Sequence, residues 1–348
     1  MDADYIIVGQ GLAGTLLAYN LIKRNQSIIF IDNQHSTSSS AMCAGIINPI
    51  TGKRLILTED FAKYHQEADL TYRELEDKLN IKFFYEKEII RFYDSHQEHK
   101  NWSERKDTII SAPYIKGYNP YGLYSRWFQD RYGSLIIKGN LCDAAALIKT
   151  FSDKIVQGKI ICEPFEFSRL KISHDYVGYK NLRASKIIFC EGYKAGSNPY
   201  FQNLPFKHAK GDILTLSIDH LPLPDKIFNF GKWIFPLNDQ TIKTGSTFYW
   251  SDINTQPTEE GKNEILNFLK PMIKFPFKVI DHQAGVRPVI LDLAPVLGLH
   301  PRQTRVGIFN GLGAKGILYA PWLARHLAEH LVDGAPLESY ININRFSI

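Results

Sequence analysis

Four cysteines in 348 residues, none within a CxxC pair, offer neither a disulfide framework nor zinc-finger spacing. No apolar run approaches the roughly twenty residues that a membrane-crossing helix needs. The first residues already read as a core strand, so no signal peptide is expected. A cytoplasmic protein with reduced thiols (Cys43, Cys142, Cys162, Cys190) is the default, and the sequons at Asn25 and Asn101 then carry little weight. A strong excess of either charge is also missing. Lys and Arg number 41 against 36 Asp and Glu, a net charge of +5 at pH 7. That surplus suits an anionic ligand and gives no stripe for a nucleic-acid partner, which is not expected. There are no internal repeats, and low complexity is confined to residues 36–40.

What is present is a normal globular composition, 44% hydrophobic and 13% aromatic, long enough for two ordinary domains or one large one. Residues 5–14 read Tyr-Ile-Ile-Val-Gly-Gln-Gly-Leu-Ala-Gly. A short apolar run meets Gly9, Gly11 and Gly14 in GxGxxG spacing, with Leu12 and Ala13 opening a helical stretch. A second β-rich run, residues 27–31, ends at Asp32. Strand, turn, helix, strand and acid in this order predict a dinucleotide site. Gly9 permits the sharp turn, Gly11 lets a pyrophosphate approach the backbone, and Gly14 lets the helix lie close to the sheet. The helix N-terminus offers free N–H groups and partial positive charge to the phosphates. Asp32 would accept hydrogen bonds from ribose hydroxyls, which disfavours the 2′-phosphate of NADP. FAD and NAD both remain open on this motif.

Along the chain, a helix is expected over residues 59–79 with Thr58 as its cap. Residues 81–132 are aromatic and interrupted by Gly and Pro, which reads as short strands and loops. Strands are expected over 134–137, 159–162, 186–190, 279–285 and 306–309, and helices over 143–151, 259–269 and 317–331. Nucleotide-type elements thus occur at the start, middle and end, with strand-rich blocks between them. The fold class is α/β: a discontinuous Rossmann-type FAD-binding domain (1–80, 138–200 and 286–348) with a second, antiparallel β-rich substrate domain (81–137 and 201–285).

Two further features bear on chemistry. Residues 310–316, Asn-Gly-Leu-Gly-Ala-Lys-Gly, repeat the GxGxxG spacing after a strand and before a helix, with too little chain left for another βαβ unit. They form either a plain glycine turn or a helix N-terminus set against a ring system, where the dipole would stabilise developing negative charge. Arg287 lies between an apolar strand and Pro288, where an arginine usually has a planar anionic partner. That partner is either an internal Asp or Glu or a substrate carboxylate.

These residues in order resemble the FAD-dependent D-amino-acid oxidase family, which includes glycine and sarcosine oxidases. The likeness rests on GQGLAG with Asp32, residues 38–49, residues 187–192 ending in Glu191-Gly192, Lys210-Gly211-Asp212, Gly245-Ser246-Thr247, Gly285-Val286-Arg287-Pro288 and Gly311-Leu312-Gly313. The resemblance implies an enzyme that oxidises the C–N bond of a small amine or amino acid by hydride transfer to flavin N5. It implies FAD in extended form, with its pyrophosphate at Gly9–Gly14, Ser39, Ser40 and the following loop near the ribityl chain, Gly192 close by, and Gly311, Leu312, Gly313, Ala314, Lys315 and Gly316 against the ring. Arg287 matches the arginine that pairs with the substrate carboxylate. No cysteine lies in the C-terminal turn, so noncovalent FAD is expected, and Cys43 reads as a small buried filler. Lys53, next to Arg54, could hold an anionic substrate or promote reaction with oxygen; a surface pair explains them equally. Tyr249 and Trp250 are candidate pocket walls, and His282 is either a base or a hydrogen-bonded structural residue.

Leu312, Ala314 and Lys315 also resemble the flavin domain of a bifunctional enzyme that trims a carboxymethylamino group on a tRNA wobble uridine. Its companion methyltransferase domain is absent from this sequence. A flavin-binding protein without turnover is the third reading. The sequence leaves open the amine, oxidase against dehydrogenase, the electron acceptor and the oligomeric state. His326-x-x-Glu329-His330 matches a zinc-peptidase pattern but follows the flavin-type turn, and residues 45–54 lack P-loop spacing; both are set aside.

Overall fold

The computed structural model describes residues 2–33, 38–52, 55–105, 112–219 and 222–347. Among them, an eight-stranded and a nine-stranded sheet carry the architecture. The first sheet is parallel at its centre. Gln303–Asn310, Leu182–Phe189, Asp2–Val8, Ile28–Ile31 and Ile160–Ile161 run side by side in the same direction. The four residues Ile28–Ile31 are all buried, as expected where helices or loops cover both faces of a parallel sheet. Antiparallel strands extend it, Val177–Tyr179 and Leu170–Ile172 on Leu182–Phe189, and Val296–His300 on Gln303–Asn310.

This strand order explains how the two ends of the chain meet. Val8 pairs with Phe189, and Phe189 pairs with Ile308. Two strand spacings, about 10 Å, therefore separate the points where the first and last parallel strands end. Gly9, Asp32, Glu191 and Gly311 all emerge at the carboxyl edge of the sheet, where open α/β folds place their ligands. Behind this edge, the helix Leu12–Lys23 packs on the C-terminal helix Gly316–Asp333, burying Leu16, Leu17 and Leu21 with Leu323 and Leu327 in one core. The helix Phe61–Leu79 packs on the same C-terminal helix, and the buried Tyr72 hydroxyl donates to the Ile317 carbonyl at 2.7 Å.

The second sheet runs Phe277–Arg287, Ala209–Ile218, Thr241–Gly245, Trp233–Asn238, Ile227–Asn229, Phe84–Phe92, Ser134–Cys142, Ile46–Ile47, and its ninth strand, Ile115–Asn119, also pairs with Ser134–Cys142. All these neighbours are antiparallel except Ile227–Asn229 against Phe84–Phe92. The helix Glu259–Leu269 covers one face, with Ile265 and Leu269 in an aromatic-rich core beside Phe128 and Phe228.

Several local expectations change. The boundary placed at 137/138 falls inside the strand Ser134–Cys142. Thr58 does not cap the long helix: Asp60, in a left-handed conformation, precedes Phe61, and the Thr58 hydroxyl instead accepts from Lys315 Nζ at 3.1 Å. The aromatic segment also holds a helix, His96–Arg105, which buries Trp102. Among the described residues, no helix is long and apolar enough to cross a membrane.

Candidate functional site

At the end of the first strand Gly9 has φ +99°, and a Cβ there would lie 2.5 Å from the Cys190 carbonyl oxygen. A Cβ on Gly14 would lie 2.0 Å from the Gly9 carbonyl oxygen, so the helix rests directly on the turn. Gly11 caps the helix with no side chain over it, and the first turn carries no acid. Ser40, in the short helix Ser39–Met42, closes one side by accepting from the Leu12 N–H at 3.0 Å. Asp32 accepts from the Gln10 N–H at 2.7 Å, which ties the acid to the turn. This is a positive helix end with an acid beside it and a single serine hydroxyl on one of its N–H groups, as suits a diphosphate-linked ribose.

The C-terminal turn is built differently. The Asn310 side chain accepts from the Gly311 N–H at 2.7 Å and donates to the Gly192 carbonyl at 2.8 Å, locking the ends of two adjacent parallel strands together. Gly311 and Gly313 have φ of +78° and +55°. Gly311 is hemmed in by Ile290 and Pro295, whereas Gly313 meets only Val289 at 3.8 Å, and its N–H donates to the Pro288 carbonyl at 2.9 Å. A Cβ on Gly316 would reach Leu12 Cδ2 at 4.0 Å, so the two helix N-termini converge.

Between them lies a cavity of about 1320 Å³, larger than the roughly 300–1,000 Å³ usual for one drug-sized ligand. Gly9, Gly11, Leu12, Ala13, Asp32, Ser39 and Ser40 line it from the N-terminal side, and Gly192, Leu312, Gly313, Ala314 and Gly316 from the other. Gly14 and Gly311 stand behind this lining. Lys315 also faces away: its ammonium reaches Thr58, and burial lowers its pKa. Lys53 and Arg54 lie outside the described residues. The acid-free helix end, the absence of a Cβ at Gly11 and the cavity's size fit an extended dinucleotide.

Arg287 lines the same cavity from the end of the second sheet's edge strand. Its guanidinium donates to Ser246 Oγ on the neighbouring loop at 2.5 Å, and lies 3.4 Å from the carbonyls of Lys210 and Thr247. It lies flat against Gly211, where a Cβ would come within 2.5 Å of both terminal nitrogens. Burial lowers its pKa. Among the described residues no carboxylate forms an ion pair with it, so an internal counterion is not what holds this cation. A partly buried arginine whose hydrogen bonds go only to neutral oxygens keeps an uncompensated positive charge, which favours an anion arriving from the cavity.

Sequence reasoning missed the floor of this end: Ile89, Ile213, Ile227, Asn229 and Trp233 on adjoining strands. Pairing sets Asn229 opposite Trp233, Trp233 opposite Gly245, and Gly245 opposite Ile213. Strand alternation could have grouped them, but it does not say which face looks into a cavity. Glu191 was also missed. It lines the cavity, accepts from Asn198 Nδ2 at 2.7 Å, and is pushed up to about 7 chiefly by burial. Tyr249 turns away and donates to Glu264 at 2.5 Å, and His282 is bonded to the buried Asp212 at 2.8 Å. Neither lines the cavity. His326 accepts from the Glu338 N–H and His330 donates to the Ala335 carbonyl, both in structural roles.

Residues 4–330 match the family described as FAD dependent oxidoreductase. A tRNA 5-methylaminomethyl-2-thiouridine biosynthesis bifunctional protein of Marinobacter nauticus is 31% identical over 167 residues, covering 44% of this chain and 26% of that protein. The glycine oxidase of Bacillus licheniformis is 22% identical over 97% of this chain and 94% of the oxidase. The chain spans little more than half, 57%, of another such bifunctional protein, from Leptospira borgpetersenii serovar Hardjo-bovis. Among solved structures, glycine oxidase from Geobacillus kaustophilus superimposes with a TM-score of 0.80 at 17% identity, covering 97% of this chain and 96% of that one. Iminodiacetate oxidase from Chelativorans sp. BNC1 gives 0.78 at 19% identity, covering 97% and 98%. These two likenesses establish the shared fold. The match across nearly the whole chain establishes the family: the protein belongs to the FAD dependent oxidoreductases, and FAD is its cofactor.

Proposed function

We propose that the protein oxidises the C–N bond of a small amine or amino acid bearing a carboxylate, which Arg287 holds. The observation that carries this reading is the Arg287 guanidinium, without a carboxylate partner among the described residues, facing the cavity that the dinucleotide-type turn also lines. Glycine oxidase relatives and the iminodiacetate oxidase fold support it by name.

In this reading the N–H groups at residues 11–13, with a phosphate oxygen sharing the Leu12 N–H with Ser40, and the Asp32 carboxylate would hold the diphosphate and adenosine ribose. Ser39, Ser40 and Gly192 would flank the ribityl chain, and residues 312–314 would back the ring without a covalent link. Bound FAD supplies the two-electron acceptor for the hydride that leaves the amine-bearing carbon. The chain's own residues prepare the substrate. Arg287, fixed by Ser246 and two carbonyls, pairs with the carboxylate and sets the orientation of the neighbouring carbon. Ile89, Ile213, Ile227 and Trp233 exclude water, which favours the neutral amine that hydride loss requires. The resulting imine is released to water for hydrolysis. The N-terminus of the Gly316–Asp333 helix presents partial positive charge toward residues 312–314.

An anaerobic panel of amino acids and secondary amines, read by bleaching of the yellow absorbance, tests this. In Arg287→Ala, kcat/KM for carboxylate substrates is expected to fall by about 2–5 kcal/mol, roughly 30-fold or more, with neutral amines far less affected. Equal losses for both would contradict the role of Arg287.

A second reading, trimming the carboxymethyl group from a carboxymethylamino substituent on a tRNA wobble uridine, is favoured by the 31% identity to the Marinobacter nauticus protein. That group also offers Arg287 a carboxylate. Tight tRNA binding that weakens steeply with salt would favour it over a free small substrate.

A further inference from the structure

Beyond Arg287 the chain does something unexpected of a solvent-exposed loop. After the strand Thr241–Gly245, Ser246 and Thr247 engage Arg287, and Tyr249 then pairs with Lys210 through two backbone hydrogen bonds of 2.8 and 2.9 Å. The Tyr249 side chain is tied to Glu264, so extended alternation turns Phe248 and Trp250 to the opposite face. There they stand 47% and 48% exposed, in an edge-to-face pair with centroids 4.8 Å apart. Each ring is pinned by a cation. The Arg287 guanidinium lies 4.9 Å from the Phe248 centroid, and Lys207 Nζ lies 4.7 Å from that of Trp250.

We propose that Phe248 and Trp250 form a stacking shelf for a flat aromatic group carried on the substrate amine. This rests on the amine-oxidation reading above. Arg287 belongs to both places: it lines the cavity and touches the shelf. Neither ring lines the cavity itself, so a substrate whose carboxylate Arg287 holds meets them through an arm that extends past the guanidinium, as an aryl-alkyl group on its nitrogen would. The rings are ordered in advance by Arg287 and Lys207, so stacking loses little side-chain freedom. Their exposed apolar area favours another ring over a charged or hydroxylated substituent, and the edge-to-face pair complements a flat π-system better than a bulky saturated one. The occupant is thus the N-aryl-alkyl arm of a carboxylate-bearing amine.

The test compares three amines on the FAD-loaded enzyme under anaerobic conditions: sarcosine, N-benzylglycine, and N-(cyclohexylmethyl)glycine, which matches the benzyl compound in reach without its flat ring. Bleaching is expected with N-benzylglycine at a kcat/KM about tenfold above the cyclohexyl compound. Trp250→Ala is expected to bring that ratio close to one, and Trp250→Phe to preserve most of it. A ratio of one in the unaltered enzyme, with sarcosine still bleaching the flavin, overturns the shelf alone. Bleaching by none of the three overturns the shelf together with the reading it rests on. A dimer at assay concentration that Trp250→Ala dissociates would assign the rings to a subunit interface and likewise overturn the proposal.

Discussion

Adding one methyl group at Gly14 should separate cofactor binding from folding. An alanine Cβ there would stand 2.0 Å from the Gly9 carbonyl oxygen, against 3.4–4 Å for ordinary contact, a shortfall of roughly 1.4 Å. The obstacle is backbone, and it belongs to the turn that precedes the helix, so no flexible side chain can yield. Either the first turn of the Leu12–Lys23 helix lifts or the Gly9 peptide rotates. Both displace the N–H groups proposed to hold the diphosphate. Overpacking of this kind costs about 1–3 kcal/mol in stability. Charge-assisted hydrogen bonds that are lost or lengthened remove about 1.5–3 kcal/mol of FAD binding, a roughly tenfold to hundredfold rise in Kd. The assay is titration of flavin-free protein with FAD, followed by flavin fluorescence, with circular dichroism to confirm the fold. Gly117→Ala, where a Cβ meets nothing within 4 Å, is the control and should bind normally. A folded Gly14→Ala protein with Kd within about threefold of the unaltered one would refute the claim that this turn carries the diphosphate.

Two other outcomes follow from the cavity lining. The Glu191 carboxyl is held at about 7 in the fold, above its ordinary 4.5, so the folded state prefers it protonated. Stability of the flavin-free protein should be fullest below pH 4.5 with respect to this group and fall by up to about 3 kcal/mol as pH rises through 7; Glu191→Gln should flatten that slope in denaturant titrations. Acid precipitation should leave all the yellow colour in the supernatant, because the cysteines lining the cavity, the half-buried Cys43 and the buried Cys190, are thiols whose pKa values desolvation raises, and none lies at residues 311–316; a yellow pellet would show a covalent link.

The geometry of the two glycine turns was legible because the backbone forces the residue type. Gly9, Gly311 and Gly313 take positive φ, and Gly14 has no room for a Cβ, so the spacing of glycines in the sequence carries the turn itself. The meeting of the two ends was also foreseeable, since parallel strands with right-handed crossovers deliver their carboxyl ends to one edge. The pocket floor was not. Ile213, Ile227 and Trp233 obey the same alternation as strands facing solvent or core, and only the pairing of distant strands reveals what they face. Thr58 is a similar case. It suits a cap by residue type, but Lys315, 257 positions later, takes its hydroxyl, and Asp60 starts the helix. The helix His96–Arg105 was hidden because its one large buried apolar residue, Trp102, gives no periodic stripe to read.

The central claim is that both chain ends grip a single extended FAD, with Arg287 at the open face of its ring. A crystal structure of the FAD-loaded protein with a bound carboxylate amine tests it most directly. The account predicts the diphosphate on the N–H groups of residues 11–13, the ring against residues 312–314, and the carboxylate paired with Arg287. A diphosphate bound away from the first turn, or a carboxylate held without Arg287, would contradict it.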